Sequence, residues 1–141
     1  MKPNFIIAMY CMAIVLIRPK IYYSIIIGLL AGAICQFFPG TPYLNFGSEL
    51  AGALAMGLLI MIPAKNKTVE IVLAAVSTFI STVISGGLYV VLLFVFIKSD
   101  PSAMVAYVPI VLGTATLNTI IVALLYVPLM KVLKKPFIST P

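Results

Sequence analysis

Apolar residues run along this chain in long stretches broken by short polar punctuation. The runs fall at about 4–17, 21–38, 47–62, 69–97 and 103–132, and the breaks read Arg18-Pro19-Lys20, PGTPYLN, AKNKT and KSDPS. A helix needs about 20 residues to cross roughly 30 Å of hydrocarbon, so the pattern predicts five transmembrane helices. The first run is short for a span, and the last two are long enough to tilt or project beyond the core. Asp100 followed by Pro101 reads as the N-cap and first-turn pair of the last helix, while Gly86-Gly87 and Pro109 mark expected kinks in the two long ones. The expected fold is an all-α integral membrane protein, a compact helical bundle forming a single transmembrane domain over residues 1–141.

Composition agrees with the pattern. The chain is 63% apolar and 9% charged, with a mean hydropathy of +1.24, far from the balance of a soluble domain. Its net charge of +6 raises the question of nucleic acid, but the basic residues sit in short clusters between apolar runs and form no stripe interleaved with aromatics. They read instead as topology signals. With alternate loops facing the cytoplasm, one side holds Arg18, Lys20, Lys65, Lys67, Lys131, Lys134 and Lys135, and the other only Lys2 and Lys98. The positive-inside rule then sets the C-terminus in the cytoplasm, and five spans set the N-terminus outside. The Asn66-Lys67-Thr68 glycosylation pattern falls on the cytoplasmic side and is discounted.

That orientation gathers the polar groups near membrane depth towards the outer face. Lys2 and Asn4 start the first span, Gln36 ends the second, and Asn45, Ser48 and Glu49 start the third. Tyr89 lies in the outer part of the fourth and Tyr107 early in the fifth. Asn45, Ser48 and Glu49 are spaced to share one helix face, and Tyr107, Val111, Thr114 and Asn118 form a second stripe running inward. A pocket open to the outside is the resulting hypothesis. Two plainer readings stand beside it: Glu49 reaches the outer headgroup layer, and Asn118 makes an interhelical hydrogen bond that ties the bundle. Gly28-xxx-Gly32, Gly47-xxx-Ala51-xxx-Ala55 and Ser77-xxx-Ser81-xxx-Ser85 are small-residue stripes suited to close helix packing.

Catalysis and cofactors find no support. The acids Glu49, Glu70 and Asp100 are scattered, and the chain has no histidine, so neither a carboxylate pair nor a metal cluster is expected. Cys11 and Cys35, inside apolar runs, read as buried inert thiols. No P-loop or other nucleotide-binding glycine pattern occurs, so active transport would draw its energy from partner subunits or from an ion. Alternatives to a substrate-capture protein are a membrane scaffold or assembly subunit, and a small proton-coupled transporter with Glu49 as its titrating acid.

Met1-Lys2-Pro3, the basic-Pro break at Arg18-Pro19-Lys20, Asn45 after a Phe-Pro-Gly loop and Leu117-Asn118-Thr119 before an aromatic-Pro step occur here in a familiar order. Across essentially the whole chain this resembles the tryptophan-transporter family of substrate-binding (S) components of prokaryotic energy-coupling factor (ECF) transporters. The resemblance implies a six-helix bundle of which this chain matches helices two to six. It implies capture of tryptophan or a related aromatic compound from outside, energised by two ATPases through a transmembrane coupling protein. Two departures matter. The helix that usually carries the docking patch for the coupling protein is not matched, and Ser48-Glu49 stands where the family tends to show Asp then Lys. For tryptophan itself, Lys2 and the start of the third helix suit the carboxylate, and Glu49, Asn45 or the Asn118 carbonyl suit the ammonium. An apolar slot near Tyr89 or Tyr107 suits the indole.

Overall fold

The computed structural model describes residues 6–17, 21–37, 42–62, 65–98 and 100–132. Among them every regular element is helical: α1 (Ile6–Ile17), α2 (Ile21–Cys35), a short 3-10 turn at Pro42–Leu44 leading into α3 (Asn45–Leu59), α4 (Lys67–Ile97) and α5 (Pro101–Val132). The five predicted helices are present, with ends shifted by a few residues. α4 and α5 are long and apolar enough to cross a membrane, and α1 and α2 are shorter apolar helices.

Helix ends follow local chemistry. The Asn66 side chain accepts the backbone N–H of Val69 at 2.9 Å and so caps α4, which explains an Asn at a position that otherwise matches a glycosylation pattern. Asp100 accepts the N–H of Ser102 at 3.0 Å, as expected for the cap of α5. This bond holds its carboxyl below the usual carboxylate range, so the cap is ionised at neutral pH. α5 runs unbroken through Pro109 and Pro128, and α4 through Gly86-Gly87.

Consecutive helices α2, α3, α4 and α5 pack side by side, and α1 packs against all four of them; α3 and α5 do not meet. α1 therefore turns one face into the bundle, with Ile7, Cys11, Ile14 and Val15 essentially sealed from solvent while Met9 stands exposed. Its side chains join Ala53 and Met56 of α3, Ala74 of α4 and Val122 and Tyr126 of α5 in one core. α2 approaches α3 through the expected glycines. A Cβ on Gly28 would lie 2.8 Å from the Leu50 Cα, and one on Gly32 would lie 2.9 Å from the Phe46 Cα. The stripe expected in α3 is corrected. Gly47 is exposed and Ala51 and Ala55 only half-buried, whereas Gly52, Ala53, Met56 and Gly57 are buried. Gly47, Ala51 and Ala55 recur every four residues and so share a helix face, but the buried face beside it is the one whose Gly52 meets α1 and α4 and whose Gly57 meets Ser24 of α2.

Candidate functional site

The middle of the bundle is polar. α4 turns Thr78, Ser81, Thr82 and Ser85 inward, all at most 1% exposed, and its neighbours contribute Glu49 from α3 and Asn118 from α5, both fully buried. Thr78 and Thr82 donate to the carbonyls one turn earlier, those of Ala74 and Thr78, each at 2.8 Å, which satisfies these two buried hydroxyls within α4 itself. Ser81 instead reaches across to α3 and donates to the Gly52 carbonyl at 2.6 Å, while the Cys11 thiol of α1 donates to Ser81 Oγ at 3.6 Å. The Asn118 amide donates to Thr82 Oγ1 at 3.4 Å, forming a polar rung between α4 and α5.

Gly52 is the point of closest approach. A Cβ there would run into the Tyr10 hydroxyl of α1 and lie 2.9 Å from the Ser85 Cβ. The Tyr10 phenol is buried in this gap beside Ser85 and Glu49. At the other end of α4, beside the basic AKNKT loop, Glu70 is also fully buried and accepts a 3.0 Å hydrogen bond from the Tyr126 hydroxyl of α5.

The sequence-derived candidates divide accordingly. Lys2 and Asn4 lie outside the described residues. Glu49, Thr114 and Asn118 are buried, and the headgroup reading of Glu49 is corrected: it points into the bundle, where Tyr10 and Cys11 face it. Asn45 is half-buried and accepts from the Ser48 hydroxyl at 3.4 Å. Gln36 is exposed and donates back to the Gly32 carbonyl at 2.8 Å. Tyr89 and Tyr107 are half-exposed. Among the described residues the backbones of α3 and α5 stay apart, so Glu49 and Asn118 lie on helices that α4 and α1 both bridge. Tyr10 and Thr82 go unmarked in the sequence reading, and Ser81 and Ser85 figure there only as a packing stripe. The interleaved i, i+4 pairs Thr78/Thr82 and Ser81/Ser85 are the signal that α4 has a polar face rather than a packing stripe alone.

An apolar groove of about 370 Å³ opens between α4 and α5 near the turn that joins them. It is lined by carbon from Val83, Gly87 and Val90 on one side and Met104, Val108 and Val111 on the other. Neither Tyr89 nor Tyr107 is among its lining residues, although each stands next to one that is, Val90 and Val108.

With that geometry in view, comparison with known families is decisive. A family model described as Tryptophan transporter TrpP matches residues 1–134. The chain belongs to this tryptophan transporter family. Comparison with curated proteins and with solved structures finds no match. Membership sets the protein among transporters rather than enzymes, and together with the long apolar helices α4 and α5 it points to a membrane location.

Proposed function

We propose that the protein captures tryptophan from the side of the α4–α5 turn and delivers it across the membrane as the substrate-binding subunit of an importer. In this reading the end carrying Lys65, Lys67 and Lys131 faces the cytoplasm, following the charge asymmetry of the chain. Energy comes from partner ATPases through a coupling protein, in keeping with the resemblance to ECF S components and with a sequence that has no P-loop of its own.

The observation that carries the reading is the fully buried Asn118–Thr82 rung on α5 and α4, in a chain that belongs to a tryptophan transporter family. An amide donates and accepts at once, so Asn118 suits either end of an amino acid. Glu49, fully buried on α3, supplies negative charge for the substrate ammonium, and Lys2 is assigned to the carboxylate. Asn118→Leu tests this directly. The variant is expected to insert and purify as the parent does but to lose radiolabelled tryptophan binding. Full affinity in the variant would reduce Asn118 to an interhelical tie.

A further inference from the structure

The groove between α4 and α5 owes its shape to two adjacent glycines. Gly86 faces α5 and lets Val111 approach, since a Cβ there would already sit 3.0 Å from a Val111 methyl. That contact draws the helices together at one rung. Gly87 points about 100° further round the helix, and a Cβ placed on it would meet nothing within 4 Å. The space is thus written into the sequence: Gly87 lines the groove, and a Cβ added there would enter it without touching a neighbour. An apolar void left empty forfeits dispersion contacts along its lining, so it is expected to take an apolar group.

The rungs below the groove narrow the choice of that group. Four residues along α4 from Gly86, roughly 6 Å at 1.5 Å per residue, Thr82 meets Asn118. On α5, Thr114 follows the groove residue Val111 by one turn on the same buried face. An apolar floor that leads within a turn to hydroxyl and amide groups matches a ligand with a flat apolar ring and a polar head. A lipid chain has no use for the buried polar end.

Resting on the proposed reading of the protein as a tryptophan carrier, we infer that the α4–α5 groove is the subsite for the indole ring. Gly87 sets the size of that subsite, and the amino-acid head lies towards the Thr82–Asn118 rung. Selectivity for an aromatic side chain then comes from an aliphatic slot with a glycine floor and not from stacking on Tyr89 or Tyr107.

The test is equilibrium binding of tryptophan to purified wild type, Gly87→Leu and Gly113→Leu. Gly113 is the control because a Cβ there also meets nothing within 4 Å, yet it lies outside the groove lining. Gly87→Leu is expected to weaken binding by about tenfold or more, and Gly113→Leu to bind as wild type does. If Gly87→Leu does not insert, Val108→Phe fills the same groove from an exposed position on α5 and is expected to act alike. Wild-type affinity in a folded groove-filling variant overturns the subsite and leaves the groove to lipid. Failure of the wild type to bind tryptophan at all would instead remove the functional reading beneath it.

Discussion

Gly52 stands where α1, α3 and α4 come together, and its missing side chain is what allows the Tyr10 hydroxyl and Ser85 to sit against the α3 backbone. Adding one methyl there has nowhere to go without moving buried groups on two helices. Gly52→Ala is expected to cost about 1–3 kcal/mol, read as a lower unfolding midpoint in detergent, despite the better helix propensity of alanine. At this scale the sequence was legible where a residue broke its surroundings. Glu49 and Asn118 stand out in apolar runs, and both are fully buried. Ser81, Thr82 and Ser85 were harder to read because hydroxyls in membrane helices commonly bond to their own backbone and signify nothing by composition. Tyr10 was invisible for a different reason: within a run of aliphatic residues a tyrosine reads as hydrophobic bulk, and only the assembled bundle shows its hydroxyl packed against Gly52.

Among the helices, α4 and α5 form the pair on which the site depends, tied by polar contacts at two levels. The Thr82–Asn118 rung lies near the middle, and Tyr126 donates to Glu70 close to the basic end. Tyr126→Phe keeps the ring in place and removes the donor from a buried carboxylate, with an expected loss of about 1.5–3 kcal/mol in unfolding free energy measured in micelles. Tryptophan affinity is expected to stay unchanged in that variant, because the Tyr126–Glu70 contact is remote from the groove. The helices themselves were legible because their apolar runs are long, and the α5 cap was legible because Asp-Pro has a defined helix-start geometry. Helix rotation was not: in a segment apolar nearly all round, no polar face marks the outside, so the choice between the Gly47 and Gly52 faces of α3 depended on neighbours that only the assembled bundle supplies.

For the molecule as a whole, the charge asymmetry predicts which end faces which compartment. In cells, Asp100→Cys is expected to react with a membrane-impermeant thiol reagent added outside, and Asn66→Cys only after the membrane is opened; the reverse pattern would invert the proposed direction of capture. The native thiols do not interfere, as Cys11 and Cys35 are both buried. Five helices and their order were readable from runs and breaks, whereas the central place of α1 was not, because its shortness reads equally as a weak span or as an enclosed element. That central place bears on biosynthesis. α1 contacts α5, which follows it in the chain by three intervening helices, so its Tyr10 and Cys11 have no finished surroundings until α4 and α5 have left the ribosome. The core around α1 closes only once α5 is in place, and a nascent chain stalled before Pro101 would present the inner face of α1 to the proteases that clear unassembled membrane proteins.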